Sequence, residues 1–317
     1  MPVALTLSVS FWSDQFVNGL TTGSLYALIA LGYTMVYGVL KMINFAHGEV
    51  FMLGSFAGYG ALVAMGGNEL SGPVIALAIL GAIIVAMSAS VSASVVIERL
   101  AYRPLRGAPA SPPHQRHRRL HLPPVPRPRA DFRPREVLPR HLPRGSLSAG
   151  PFEITYIQLF LIASSVAMMA LLYAIIQRTR LGRAIRAVAE NPTNASLMGV
   201  DVNRTIVFVF ILGAAMAGVA GVLYGLFFQT IRGSMGFIPG IKAFTAAVLG
   251  GIGSIPGAMA GGYVLGLAET VGRELLNELP GVNLGNQWRD VIAFTLLVTI
   301  LIFRPTGIFA QRSTTRA

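Results

Sequence analysis

Ionisable and amide side chains are rare in the apolar parts of this chain, and those of most interest fall into two groups. The first group is Asn44, His47 and Glu49, and the second is Lys242 and Thr245. Polar side chains beside membrane spans generally face a packed, water-accessible interior, so both groups are candidates for a functional role. His47 and Glu49 are too few to ligate a metal, and we expect no metal site.

The motifs of common enzyme classes are missing. A phosphate-binding loop requires a glycine before its lysine, but the only lysines, Lys41 and Lys242, follow Leu40 and Ile241. The sequences GxSxG and HExxH do not occur, so hydrolase and metalloenzyme functions lack their usual residues. The chain has no cysteine, which excludes disulfides, thiolate metal sites and cysteine nucleophiles. We expect no catalytic residues.

The composition is that of an integral membrane protein. Of 317 residues, 53% are apolar and only 12% are charged. Long apolar stretches occur at 16–36, 74–96, 154–176, 206–228 and 291–303. At about 1.5 Å per residue, the stretch 154–176 reaches roughly 34 Å, enough to cross a hydrocarbon core of about 30 Å.

Glycine interrupts two further apolar stretches, 51–65 and 243–271, which are expected to be tilted spans or re-entrant segments. Five glycine pairs have GxxxG spacing, which lets helix backbones approach closely in lipid; they are 19/23, 54/58, 221/225, 257/261 and 262/266. The predicted fold is all-α: one polytopic transmembrane helical bundle over residues 1–317, with about seven to eight spans and re-entrant or broken segments. The first span lacks the features of a removed signal peptide and is predicted to be retained.

Residues 103–144 form an anomalous block rich in arginine, proline and histidine. The block holds eleven basic and two acidic residues, a net charge of +9 out of +12 for the whole chain. Such a stretch is usually a disordered contact to nucleic acid or anionic lipid. Near the bilayer centre each arginine costs about 2.5 to 3.5 kcal/mol, so the block as printed should not insert.

Charge topology suggests what the block replaces. Basic residues accumulate in cytoplasmic loops, so the arginines after residue 177 place the end of stretch 154–176 inside and its beginning outside. The loop 99–106 is also basic, which leaves one crossing missing between residues 106 and 154. Arginines at 304, 312 and 316 favour a cytoplasmic C-terminus.

A shifted reading frame would supply that crossing. Codons for residues 113–122 can be chosen so that the adjacent frame reads Leu-Ile-Ser-Ala-Ile-Gly-Val-Ser-Ile-Phe. We therefore predict that about 108–143 replaces a membrane span through a frameshift. The shift could come from a sequencing error or from a pseudogene lesion. A genuine block is the alternative to a frameshift.

Residues 178–204 form a short polar insert between two long apolar stretches. Residues 184–189 are strong helix formers. Asn191 is a favoured N-cap, Pro192 suits the first helical position, and Gly199 can adopt the left-handed conformation that ends a helix. The pattern predicts two short helices, the second over 192–198. Because that helix is too short to be stable alone, it requires a partner surface; a solvated connecting loop is the alternative.

Several motifs carry a resemblance to a known family. They are NGL at 18–20, GSLYAL at 23–28, INFAHG at 43–48, YRPLR at 102–106, IT at 154–155, RAIRAVAEN at 183–191, MG at 198–199, FTAAVLGG at 244–251 and FRPTGIF at 303–309. Over roughly 250 residues the chain resembles the LivH-type permease subunit of branched-chain amino acid ABC importers. It departs from the pattern from about residue 108 to about 143.

This resemblance implies a multi-pass protein of the bacterial cytoplasmic (inner) membrane, in contact with lipid and not with nucleic acid. Its implied partners are a second permease subunit, two cytoplasmic ATP-binding subunits and an extracytoplasmic substrate-binding protein. The chain itself would hold no cofactor, since ATP and Mg²⁺ would bind the partner subunits.

The resemblance also implies roles for particular residues. The insert 178–204 matches the cytoplasmic coupling loop, whose ATPase-coupling residues would be Arg183, Arg186, Ala189, Glu190, Asn191 and Gly199. Substrate would pass between the two permease chains, along the segments 44–49 and 236–245.

Alternative functions remain open from the sequence. A permease for urea, short amides or other amino acids would share these motifs. An ATP-independent channel or secondary carrier would explain the apolar stretches but leaves the insert without a function. An intramembrane enzyme would need a nucleophile paired with a general base, and the sequence shows no such pair. The sequence shows no charged pair placed to bind the ammonium and carboxylate of an amino acid.

Overall fold

A computed structural model describes residues 9–67, 74–106, 135–136, 145–277, 285–286, 288–304 and 306–309. The helices are α1 (Val9–Leu40), α2 (His47–Ala64), α3 (Val74–Ile97), α4 (Arg103–Arg106), α5 (Tyr156–Arg178), α6 (Arg180–Glu190), α7 (Pro192–Leu197), α8 (Val202–Phe228), α9 (Phe237–Gly250), α10 (Ile255–Asn277) and α11 (Trp288–Phe303). A π-helical turn, Glu98–Tyr102, joins α3 to α4. The predicted all-α membrane bundle is confirmed.

The described part of the chain also has four short strands: β1 (Arg135–Glu136), β2 (Ser146–Ala149), β3 (Phe152–Thr155) and β4 (Thr230–Ile231). Strands β2 and β3 form an antiparallel hairpin directly before α5. Strand β1 pairs with β4, which follows α8.

Within the described residues, four helical segments have the length and composition to cross a membrane: α1, α3 with its π-helical turn, α5 and α8. The pair α9 and α10 is a fifth if counted as one span, and it bends by 120° at a short break. Helices α2 and α11, with 18 and 16 residues, are shorter and are not among these candidate spans. The predicted total of seven to eight spans stays a prediction, because most of the block 103–144 lies outside the described residues.

The five long apolar stretches predicted from the sequence lie in helices, with one shift of a boundary. Helix α5 begins at Tyr156 instead of 154, because Thr155 caps it: the Thr155 hydroxyl accepts from the Gln158 backbone N–H at 3.3 Å, and the Gln158 side chain accepts from the Thr155 N–H at 2.9 Å. This capping box fixes the start of the helix. Ile154 lies in β3.

Helices α1 and α8 form the centre of the bundle, whereas α3 and α5 expose most of their surface. Glycines explain the close approach of the central helices. A Cβ on Gly23 would lie 2.8 Å from the Cα of Tyr263 in α10, and one on Gly54 would lie 2.9 Å from the Cα of Gly218 in α8. Such contacts are the ones that GxxxG spacing predicts.

Two sets of three helices occupy equivalent places. Helices α2 and α3 pack on α8, and α9 and α10 pack on α1, while α1 and α8 pack on each other. In this arrangement α2 corresponds to α9, and α3 to α10. Structural repeats of this kind place broken helices near the bilayer midplane in many transporters.

The described residues on either side of the block lie at opposite ends of the bundle. The Tyr102 hydroxyl donates to the carbonyl oxygen of Ile43 at 3.2 Å, just beyond the end of α1. The Gln158 amide donates to Asn18 Oδ1 at 2.9 Å, near the beginning of α1. Residues 18 to 40 of α1 span about 33 Å. The chain therefore passes from one end of the bundle to the other between Tyr102 and Gln158.

Candidate coupling and translocation sites

The insert between α5 and α8 folds as the two predicted helices, α6 and α7. The first helix starts in a tight turn: the Thr179 hydroxyl accepts from the Gly182 backbone N–H at 3.0 Å. A Cβ on Gly182 would overlap the carbonyl oxygens of Ile175 and Ile176, so the turn requires glycine. Helix α6 buries Ile185 and contacts α1, α5 and α8. This packing mounts the insert firmly on the bundle.

Helix α7 has defined caps at both ends. The Asn191 side chain accepts from the Asn194 N–H at 3.0 Å, and Pro192 is the first helical residue. Gly199 has φ +83°, and the next residue, Val200, donates to the Ala195 carbonyl at 3.0 Å. This is a Schellman C-cap. The predicted helix and its glycine stop are confirmed, with the last helical residue one position earlier than predicted.

The end of α7 exposes two large apolar side chains. Leu197 is 80% exposed and Met198 is 85% exposed, whereas Ala195 is the only buried residue of α7. Exposed apolar side chains on a firmly mounted protrusion are typical of a protein contact. Sequence reasoning missed this pair, although two apolar residues at the end of a polar insert were a visible signal.

The six predicted coupling residues do not share one environment. Arg183, Glu190 and Asn191 are exposed, and Ala189 is partly buried. Arg186 donates to the carbonyl oxygen of Ile176 and, at 3.3 Å, to Gln177 Oε1. Arg186 therefore braces α6 against the end of α5.

A polar cleft lies beside the same end of the bundle. A cavity of about 350 Å³ separates the end of α3 from the start of α8, and its lining has three arginines, Arg99, Arg103 and Arg204, and two acids, Glu98 and Asp201. Asp201 caps α8 by accepting from the Arg204 N–H at 2.9 Å. This concentration of arginine agrees with a cytoplasmic position.

The first turns of α2 and α9 lie against each other. A Cβ on Gly48 would overlap the carbonyl oxygen of Gly236 and lie 3.3 Å from the Cα of Gly240. Both helices begin without a capping side chain. Because the N-terminal end of a helix carries partial positive charge, two such ends meet at this α2/α9 junction.

Of the first sequence group, Asn44 and His47 are buried beside this junction, while Glu49 is exposed in the first turn of α2. Asn44 Oδ1 accepts from the Tyr102 hydroxyl at 3.3 Å. The His47 ring packs edge-on against Tyr33, with ring centroids 4.9 Å apart. Asn44 Nδ2 and His47 Nε2 have no hydrogen-bond partner among the described residues. Unsatisfied buried polar atoms are unusual, and they mark the α2/α9 junction as a candidate functional region.

The second group lies elsewhere on α9. Lys242 is 5% exposed, and its Nζ is 3.1 Å from both carboxylate oxygens of Glu269 and 2.6 Å from Asp290 Oδ1. The Tyr26 hydroxyl donates to Glu269 Oε2 at 2.9 Å. Thr245 is fully buried, and its hydroxyl donates to the Ile241 carbonyl at 3.0 Å.

Sequence reasoning missed Glu269, Asp290 and Tyr26. A signal was available, because Glu269 is the lone acid within the apolar stretch 243–271 and Asp290 immediately precedes the stretch 291–303. Their pairing with Lys242 joins residues far apart in sequence and could be found only from the fold. Within the described ranges, no group of three or more His, Cys, Asp or Glu side chains is placed to hold a metal ion.

Comparison with known proteins identifies relatives along nearly the whole chain. The family model described as "Branched-chain amino acid transport system / permease component" matches residues 15–110 and 141–301. The match is interrupted at 111–140, within the anomalous block. No solved structure gives a significant match.

Individual relatives agree with the family model. The chain is 45% identical over 305 residues to the high-affinity branched-chain amino acid transport system permease protein BraD of Pseudomonas aeruginosa, covering 94% of this chain and 95% of that one. It is 42% identical over 319 residues to the corresponding permease protein LivH of Escherichia coli, covering 95% and 96%. An autoinducer 2 import system permease protein, LsrC of Klebsiella pneumoniae, is 33% identical over 151 residues and covers 43% and 40%.

The helical bundle, the paired broken helices and these matches along both flanks of the block lead to one assignment. The chain is a multi-pass membrane protein that belongs to the family of permease components of branched-chain amino acid transport systems.

Proposed function

We propose that this chain is the membrane-spanning permease subunit of an ATP-binding cassette importer that moves branched-chain amino acids across the bacterial cytoplasmic membrane. The observation that carries the proposal is the 45% identity to BraD over about 95% of both chains. The chain contributes no ATP-hydrolysing site. ATP and Mg²⁺ bind its two ATPase partners, and a second permease and an extracytoplasmic binding protein complete the importer.

The insert 178–204 is the coupling element in this proposal. Helix α6 is packed on three helices of the bundle, and α7 presents Leu197 and Met198 to solvent. A short helix seated in a groove of the ATPase would move with that subunit as a rigid body. Arg183, Glu190 and Asn191 lie exposed beside the contact. Gly199 ends α7, Ala189 packs partly buried against the core of the bundle, and Arg186 holds α6 to α5.

The α2/α9 junction is the proposed translocation path. Positive helix ends and the Asn44 Nδ2 donor, which is unpaired among the described residues, suit the carboxylate of an amino acid, and the likewise unpaired His47 Nε2 suits its ammonium when that nitrogen carries no proton. Three of the candidate residues lie at or beside the α2/α9 junction, namely Asn44, His47 and Glu49. The other two, Lys242 and Thr245, lie further along α9. Phe45 and Phe237, at 71% and 63% exposed, offer apolar surface beside it for a second permease chain or an aliphatic substrate side chain.

We further propose that about 108–143 is read in a shifted frame and replaces a membrane span. The interruption of the family match at 111–140 supports this, as does the passage of the chain between opposite ends of the bundle from Tyr102 to Gln158. Resequencing the gene decides the point, and an unbroken frame in independent reads would refute the shift.

The substrate proposal is tested by uptake into proteoliposomes that contain the full importer, with this chain in the reading frame that resequencing establishes. Unlabelled leucine, isoleucine and valine should each suppress uptake of labelled leucine, and urea at the same concentration should not. Uptake of labelled urea without uptake of leucine would replace the proposed substrate with the alternative.

A further inference from the structure

The ion cluster of Lys242, Glu269 and Asp290 joins three helices of the bundle. Lys242 lies on α9, Glu269 on α10 and Asp290 in the first turn of α11. The Lys242 ammonium lies between the two carboxylates, 3.1 Å from Glu269 and 2.6 Å from Asp290. Tyr26 of α1 adds a hydrogen bond to Glu269 and places its ring 5.7 Å below the ammonium.

The burial of the cluster shows that its charges depend on one another. The side chains of Lys242 and Glu269 are 6% and 1% exposed, whereas that of Asp290 is 41% exposed. A charge at this depth is tolerated only when it is paired, and removal of one partner leaves the other uncompensated. Because its partners already surround Lys242, the ammonium is not free to bind substrate in this conformation.

The position of Lys242 links the cluster to the α2/α9 junction. Helix α9 has only 14 residues, and its first residue follows Gly236 without a capping side chain. Gly240, which contacts Gly48 across the junction, lies two residues before Lys242. The cluster therefore holds α9 within one turn of the point where α9 meets α2.

We infer that Lys242, Glu269 and Asp290 fasten the half-helix α9 to α10 and α11, and that Asp290 is a positioning residue for transport that acts through α9 without touching the substrate. The effect of Asp290 on transport rests on the proposed function. The loosening of α9 that follows from loss of the ion cluster does not depend on it.

The experiment uses the absence of cysteine from this chain. Single cysteines are introduced at Ile238 on α9 or Leu53 on α2, spin-labelled, and the full-length chain is assembled with its partner subunits in lipid nanodiscs. Asp290→Asn should raise the ratio of mobile to immobile label at position 238 by roughly five- to thirtyfold, which corresponds to about 1 to 2 kcal/mol. The label at position 53 should not change.

Two further variants of the cluster and one matched control sharpen the result. Asp290→Glu keeps the charge and should restore the immobile label. Asp14→Asn removes an exposed carboxylate of α1 and should have no effect. If Asp290→Asn does not assemble, Lys242→Met combined with Glu269→Gln removes both buried charges at once, so neither is left uncompensated. This double variant should also loosen position 238, because the ion pairs from α9 to α10 and α11 are lost.

The label and the uptake rate separate the two proposals. An unchanged ratio at position 238, or an equal rise at positions 238 and 53, would overturn the fastening role. In an active importer, Asp290→Asn should lower the maximal rate of leucine uptake and leave the half-saturating leucine concentration unchanged; a rise in that concentration at unchanged maximal rate would instead make Asp290 a substrate contact. An unsubstituted importer that does not transport leucine would refute the proposed function, while the label would still decide the role of the cluster.

Discussion

Replacing Leu197 and Met198 together by serine should uncouple this chain from its ATPase partner without affecting its fold. Leu197 and Met198 are 80% and 85% exposed, so the bundle gains little from them. Substitution of such surface residues generally changes the free energy of unfolding by less than about 0.5 kcal/mol. Burial of a Leu or Met side chain in a partner groove contributes about 1.5 to 3 kcal/mol. Loss of both should weaken ATPase binding by about 3 kcal/mol or more, over a hundredfold.

The assay measures binding of the purified ATPase subunit to the permease pair in nanodiscs, together with ATP hydrolysis stimulated by the loaded binding protein. Leu147→Ser is the matched control, because Leu147 is 51% exposed in the β2–β3 hairpin at the opposite end of the bundle. Unchanged ATPase affinity and stimulation in the double variant would refute the assignment of α7 as the coupling contact. An equal loss in the control would show that the effect is general to exposed leucines.

The remaining predictions concern the junction, the coupling loop and the block. Gly48→Ala should abolish uptake because its Cβ would overlap the Gly236 carbonyl, whereas Gly60→Ala on the same helix meets no atom within 4 Å and should keep near-normal uptake. Gly199→Val should lower uptake but not the amount of inserted protein, since φ +83° disfavours a β-branched residue by about 1 to 2 kcal/mol. Glu190→Ala should lower transport per ATP hydrolysed, and normal uptake in both coupling-loop variants would contradict their role. The chain with its block as printed should fail to reach correct topology in a protease-protection assay, and the frame-corrected chain should succeed.

The sequence predicted local features better than contacts between distant segments. Asn191, Pro192 and Gly199 act through their own backbone and near neighbours, so their roles in α7 could be predicted directly. The existence of helices at the five long apolar stretches could be predicted from composition, but not all of their ends: α1 extends from Val9 to Leu40, beyond both ends of the stretch 16–36, and the capping box of Thr155 moves the start of α5.

The ion cluster could not be predicted in the same way. Lys242 precedes Glu269 by 27 residues and Asp290 by 48 residues, and only the packing of α9, α10 and α11 brings them together. The contact between Gly48 and Gly236 could not be predicted either, because no local sequence pattern shows that the first turns of α2 and α9 lie against each other. The exposure of Leu197 and Met198 likewise depends on which face of α6 and α7 the bundle covers.

The central claim is that this permease moves its substrate only when ATP is hydrolysed by a partner that contacts the insert 178–204. The direct measurement is uptake of labelled leucine by proteoliposomes containing the full importer, with ATP or a non-hydrolysable analogue supplied on the ATPase side. Concentrative uptake with ATP, and none with the analogue or without the ATPase subunits, is the predicted result. Equal uptake in all three conditions would contradict the account and identify the chain as a channel or secondary carrier.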